Sequence, residues 1–143
     1  MSGFLGRYDF QMDEKGRVSL PAAFRKGAEG ERFILLQWEK PYLTLFPEQV
    51  WNEVQARLVE YRRKDPAAWG HVREITSNAV EVTPDKQGRF LIPTWLQEAA
   101  GLQGAVLLNG NIDRVEIWNP EEYRKASQEK AEGFPLFARQ IFG

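Results

Sequence analysis

The 143-residue chain has no cysteine, one histidine and no excess of either charge. Without cysteine there is no disulfide, no thiolate metal centre and no thiol nucleophile. The lone histidine, His71, sits beside Val72 on a stretch with helical periodicity, where it reads as structural rather than catalytic. No His/Asp/Glu cluster has metal-ligand spacing, and no glycine-rich phosphate loop is present. The expectation is therefore a protein with no metal, no cofactor and no enzymatic activity. Carboxylate-only catalysis is left without a selected pair. Apolar runs are short, Phe33-Ile34-Leu35-Leu36 being typical of the longest, far below the ~20 residues of a membrane span. Residues 1–7 lack the apolar core and cleavage site of a signal peptide, so the cytoplasm is the expected compartment and a membrane is not an expected partner. The net charge is −1, with 11 basic and 10 acidic side chains in residues 1–72 and 8 and 10 in residues 73–143. Neither half is a basic domain, which argues against tight non-specific nucleic-acid binding. A small clustered basic face remains compatible with these totals.

What the chain does have is a repeated phrase. Asp13-Glu14-Lys15-Gly16-Arg17-Val18-Ser19-Leu20-Pro21 returns as Asp85-Lys86-Gln87-Gly88-Arg89-Phe90-Leu91-Ile92-Pro93, with Asp, Gly, Arg and Pro at the same spacing and an offset of 85 − 13 = 72. Matching contexts surround both copies, the mark of an internal duplication. Each half holds roughly 70 residues, near the lower limit for a self-sufficient core. The halves must therefore pack on each other or on other chains, and five Trp and nine Phe supply apolar surface for it.

In each copy an alternating strand (Tyr8–Met12; Val80–Val82) precedes an Asp-to-Arg turn in which Gly16 or Gly88 is free to take a positive φ. A short strand follows, then a proline-led helix. Gly27 or Gly30 is expected to end the first of these helices and Gly101 the second. Arg32–Trp38 and Tyr42–Phe46 read as a hairpin, and Ala105–Leu108 with Arg114–Trp118 as another, turning at Asn109-Gly110-Asn111. Val50, Val54, Leu58 and Tyr61 mark one helix face, and Ala68, Val72 and Ile75 the face of a second helix opened by Asp65-Pro66. Asn119-Pro120-Glu121-Glu122 opens the last helix. Aligning Pro120 with Pro47 gives an offset of 73, which implies that one residue was gained between the copies. The apolar tail, Phe134 to Phe142, is expected to dock on its own subunit or on a neighbour.

Strand, Asp-x-x-Gly-Arg turn, strand and proline-led helix resemble the AbrB-like swapped-hairpin DNA-binding domains. The tandem form is similar to the MraZ family: Gly6-Arg7-Tyr8, Asp13-Glu14-Lys15-Gly16-Arg17, then Asp85-Lys86-Gln87-Gly88-Arg89-Phe90-Leu91-Ile92-Pro93 and Glu116-Ile117-Trp118 before a helix. The resemblance covers residues 4 to about 126 and implies an α+β fold of β-rich tandem AbrB-like (swapped-hairpin, double-psi-like) repeats with flanking helices. The expected division is residues 4–50 for the first repeat, 51–77 for connecting helices, 78–124 for the second repeat and 125–143 for the tail. The function implied is a bacterial transcriptional regulator, a repressor of a division and cell-wall gene cluster. It would bind repeated boxes on double-stranded DNA as a ring-shaped homo-oligomer, an octamer being one candidate, in association with the nucleoid. On this resemblance Lys15, Arg17, Lys86 and Arg89 face DNA.

Chemistry fits those assignments. Arginine presents a fork that matches guanine O6 and N7, and lysine meets phosphate as a point charge. Asp13 and Asp85 are expected to support the turns and orient the arginines, and Gly16 and Gly88 to keep the turns slim. Arg7, near the first turn's strand, is a further candidate phosphate contact. A single Asp-x-x-Gly-Arg more often only staples a hairpin; its recurrence argues for a shared surface. Arg62-Arg63-Lys64 reads as the solvated end of a helix. The competing function is an antitoxin-like or adaptor module whose turns bind a protein.

Overall fold

The computed structural model describes residues 3–25 and 32–143. Gly27 and Gly30 lie outside them. The first copy of the repeat supplies β1 (Phe4–Gln11), β2 (Arg17–Ser19), α1 (Ala22–Arg25), β3 (Phe33–Leu36) and β4 (Leu43–Pro47). Two helices follow, α2 (Glu48–Lys64) and α3 (Ala68–Ser77). The second copy supplies β5 (Val80–Val82), β6 (Arg89–Leu91), α4 (Thr94–Ala99), β7 (Ala105–Ile112) and β8 (Arg114–Trp118). The chain closes with α5 (Pro120–Lys130), a 3₁₀ turn and α6 (Phe134–Phe142). The fold class is α+β, with β-rich repeats and flanking helices.

The repeats do not fold side by side. They exchange strands. A six-stranded antiparallel sheet runs β1-β7-β8-β4-β3-β5, so β1 pairs with β7 of the second copy and β5 with β3 of the first. Exchanging each strand for its counterpart and reading backwards returns the same order, the signature of an internal pseudo-two-fold axis. Thr44 pairs with Glu116 at the centre of the sheet, and Val18 with Phe90 at the centre of a separate β2–β6 ribbon. Each of these four residues faces its own counterpart 72 positions away.

The axis also corrects the alignment of the copies. Tyr8↔Leu108 corresponds to Val80↔Leu35, which puts β7 73 residues after β3 (108 − 35). Helices α2 and α5 begin from the caps Pro47 and Asn119, where the offset is again 72 (119 − 47). Pro47 therefore matches Asn119, and the residue gained before β7 is lost again within the hairpin. Asn119 caps with its side chain: Oδ1 accepts from the N–H groups of Glu121 and Glu122 at 2.8 and 3.3 Å.

Alternation along the strands sorts side chains to two faces. One face buries Phe33, Leu35, Leu43 and Leu45 with Val106, Leu108, Val115 and Ile117, against Val18 and Phe90 of the ribbon and Phe24 and Leu96 of the short helices. This shared core draws on both copies, as expected of halves too small to bury a core alone. Phe24 meets Phe4 and Tyr8 edge-on, with ring centres 5.4 and 5.1 Å apart. The other face packs Ile34, Leu36 and Phe46 under Val50 and Trp51 of α2, with Val54, Leu58 and Ile75 alongside. Trp51 is buried, whereas Tyr61 is exposed on the helix.

One further expectation changes. The second hairpin does not turn at Asn109-Gly110-Asn111. Those residues continue β7, paired on one side with Arg7, Gly6 and Leu5 and on the other with Glu116, Val115 and Arg114. The chain reverses at Ile112-Asp113, where Ile112 takes φ +66°. Gly110 is needed for close packing instead: a Cβ there would stand 2.6 Å from the Leu5 nitrogen and 2.9 Å from the Phe24 ring. The tail forms a helix, α6, but Phe134, Leu136, Phe137, Ile141 and Phe142 all remain exposed on the single chain. No described helix is long and apolar enough to cross a membrane.

Candidate nucleic-acid interface

The Asp-to-Arg phrase folds the same way twice. Gly16 N–H donates to the Asp13 carbonyl at 3.0 Å, and Gly88 N–H to that of Asp85 at 2.9 Å. The glycines have φ +85° and +82°, left-handed values at which a side chain is strained. Asp13 Oδ1 accepts from the backbone N–H groups of Lys15 (3.0 Å) and Arg17 (2.8 Å), while Oδ2 accepts from Arg17 Nε at 2.7 Å. Asp85 repeats the set with Gln87 N–H and Arg89 N–H at 2.9 Å and Arg89 Nε at 3.1 Å. One carboxylate thus closes the turn and also fixes the direction of the arginine that leaves it. The Arg17 N–H bond chiefly holds the Asp13 carboxyl below its ordinary range, and the Arg89 N–H bond does the same for Asp85. Both ion pairs are partly solvated, so they add little stability; their effect is on orientation.

The ribbon brings the two turns together. In the register Arg17↔Leu91, Val18↔Phe90, Ser19↔Arg89, the central pair points into the core. Strand alternation then sends Arg17, Ser19, Arg89 and Leu91 outward on one face. The arginines lie diagonally across it, related by the pseudo-two-fold. The turns are tied to each other through their glycine carbonyls: Gly88 O accepts from Leu20 N–H at 2.7 Å and Gly16 O from Ile92 N–H at 2.9 Å.

Lys15 and Lys86 are exposed on the turns but are not counterparts. At an offset of 72, Lys15 matches Gln87 and Lys86 matches Glu14. Arg7 is not brought to this surface. Phe4, Tyr8 and Phe10, the even-numbered positions of β1, pack on the shared core, so the odd-numbered Arg7 points to the opposite face of the sheet, where its guanidinium stacks 5.7 Å from the Tyr123 ring.

Several residues of the site escape inspection of the sequence. Ser19 and Leu91 share the outward face with the arginines, and Leu91 is 52% exposed. Arg25 and Gln97, also 72 apart, each reach back across the axis. Gln97 Nε2 donates to Ile92 O at 2.7 Å and its amide covers Gly16; Arg25 Nε donates to Leu20 O at 3.1 Å and its side chain covers Gly88. Period-two alternation through residues 17–19 and 89–91 is the signal for the first pair, and the 72-residue offset for the second.

Such a surface, a two-stranded ribbon carrying two fixed arginines between glycine turns, has the width of an element that enters the major groove of duplex DNA. A family model described as "MraZ protein, putative antitoxin-like" matches the chain twice, over residues 4–72 and 75–140. Among curated relatives, the "Transcriptional regulator MraZ" of Leuconostoc citreum is 36% identical over 138 residues, 96% of each chain. The protein of the same name from Desulforamulus reducens is 36% identical over 140 residues, again 96% of each. That of Acetivibrio thermocellus is 38% identical over 124 residues, covering 87% of this chain and 86% of its own. With both repeats matched and relatives alike along almost their whole length, the chain belongs to the MraZ family.

Proposed function

We propose that this chain is a transcriptional regulator that binds double-stranded DNA sequence-specifically through the β2–β6 ribbon and its two turns. The observation that carries the proposal is the placement of Arg17 and Arg89 on one outward face, each aimed by its own aspartate. Arg17 and Arg89 read guanine edges, Lys15 and Lys86 contact phosphates, and Asp13, Gly16, Asp85 and Gly88 hold the turns. Arg7, on the far face, is left out of this contact. The relatives are transcriptional regulators by name, which supports transcriptional regulation here, and the absence of catalytic constellations in the sequence agrees with a protein that is not an enzyme.

One bidentate contact discriminates by only ~1–3 kcal/mol, and the chain as a whole carries no net positive charge. Linked copies raise avidity roughly 10²–10⁴-fold. A closed homo-oligomeric ring on repeated operator boxes, acting as a repressor of a division and cell-wall gene cluster at the nucleoid, therefore completes the proposal. Within it, residues 4–50 and 78–124 serve as the two half-units, 51–77 as the helical connection and 125–143 as the tail. The family description favours one competing reading, an antitoxin-like module whose turns grip a protein. Salt separates the two: affinity for operator DNA falls steeply and linearly on a log–log salt plot, whereas an apolar protein contact holds. Binding indifferent to salt would rule out the DNA reading.

A further inference from the structure

The pseudo-two-fold makes the two turns alike in backbone and unlike in charge. The first turn carries Lys15 and Arg17 against Asp13 and Glu14, two cations and two carboxylates. Its glycine is covered by Gln97, which is neutral. In the second turn Lys86 and Arg89 stand against Asp85 alone. Its glycine is covered by Arg25: a Cβ on Gly88 would lie 2.5 Å from Arg25 Nε and 2.7 Å from Cζ. The first turn thus sums to zero and the second, counting Arg25, to +2.

Arg25 comes from the other repeat. Helix α1 follows directly on β2, and the Leu20 peptide locks it in place: its N–H donates to Gly88 O at 2.7 Å and its C=O accepts from Arg25 Nε at 3.1 Å. Gln97 makes the matching bond with its amide nitrogen. An arginine spends only Nε on that bond, and the rest of its guanidinium lies over Gly88, the residue that precedes Arg89. The fold therefore needs a donor at this position and nothing more; the positive charge is extra to what the structure requires.

We propose that Arg25 is a DNA-contact residue, a phosphate-binding cation that the first repeat lends to the second turn. The second turn is in consequence the main electrostatic anchor, and the first, with no net charge, reads bases while adding little non-specific affinity. This inference rests on the DNA-binding proposal and assigns its two turns different tasks.

Arg25→Gln tests it, because glutamine already occupies the symmetry-related position and preserves the Leu20 bond. The probe is duplex DNA enriched from a randomised pool by the wild-type protein, with affinity followed by fluorescence anisotropy across a salt series. The expected result is a log–log salt slope shallower by ~0.9 for each second turn engaged, at an unchanged unfolding midpoint. Gln97→Arg is the converse variant and steepens the slope by adding a cation to the first turn. Wild-type slope in Arg25→Gln with the fold intact overturns the inference while DNA binding by the ribbon stands. If the wild type enriches no duplex, the DNA proposal falls and this inference with it. If Arg25→Gln lowers the unfolding midpoint and leaves the slope of the folded fraction unchanged, Arg25 is structural and the inference is wrong.

Discussion

Val18 and Phe90, 72 residues apart, lie directly opposite each other across the β2–β6 ribbon, each facing its own counterpart in the other repeat. Both are buried. Because the pair sits on the pseudo-two-fold, whatever precedes one strand is repeated diagonally before the other. That is how two turns 72 residues apart come to share a surface.

The turn carboxylates give the fold a defined acid sensitivity. Asp13 and Asp85 are held below their ordinary value of 3.8, first by the N–H bonds of Arg17 and Arg89. A depressed carboxylate stabilises the folded state above its unfolded pKa, and the contribution is lost as pH falls through the folded value. The double variant Asp13→Asn, Asp85→Asn should therefore unfold at lower temperature than the wild type at neutral pH. The gap should close below pH 3.8, as thermal melts over a pH series would read out. A gap that persists in acid would mean the charge is not what matters.

Glycine positions separate packing from propensity. Gly110→Ala would drive a methyl into the β1 backbone and the Phe24 ring, and overpacking of this kind costs ~1–3 kcal/mol. Gly70, inside α3, has nothing within 4 Å of a new Cβ, so Gly70→Ala should stabilise by ~0.5–1 kcal/mol. Urea titration of the two variants should move the midpoint in opposite directions.

Gly110 also shows where sequence stops informing. Asn109-Gly110-Asn111 carries a turn signature, and locally nothing opposes it. What overrides it is β1, about a hundred residues earlier, which pairs along the whole of β7. Features written in neighbouring residues, such as the Asp-to-Arg turns, the proline-led helices and the α2 stripe, were legible for that reason. The repeat was legible too, and with it the candidate arginines. Strand exchange, the common ribbon face, the position of Arg7 behind the sheet and the cover of Gly88 by Arg25 depend on how the two copies dock, and no local pattern encodes that.

The tail makes a prediction about assembly. Helix α6 leaves Phe134, Leu136, Phe137 and Ile141 exposed on the single chain, more apolar surface than a free helix keeps in water. Of the two docking sites expected, the chain's own body is not used. Removing residues 133–143 should leave the melting behaviour of the sheet core intact and lower the particle mass in native mass spectrometry. Equal mass with and without the tail would remove it from the subunit contact.

Binding of enriched duplex DNA by the double variant Arg17→Ala, Arg89→Ala tests most directly whether the ribbon face is the recognition surface. With circular dichroism and unfolding midpoint unchanged, affinity should fall by at least about tenfold, the factor that ~1.4 kcal/mol represents, since each arginine is expected to contribute ~1–3 kcal/mol. Wild-type affinity in the folded double variant would contradict it.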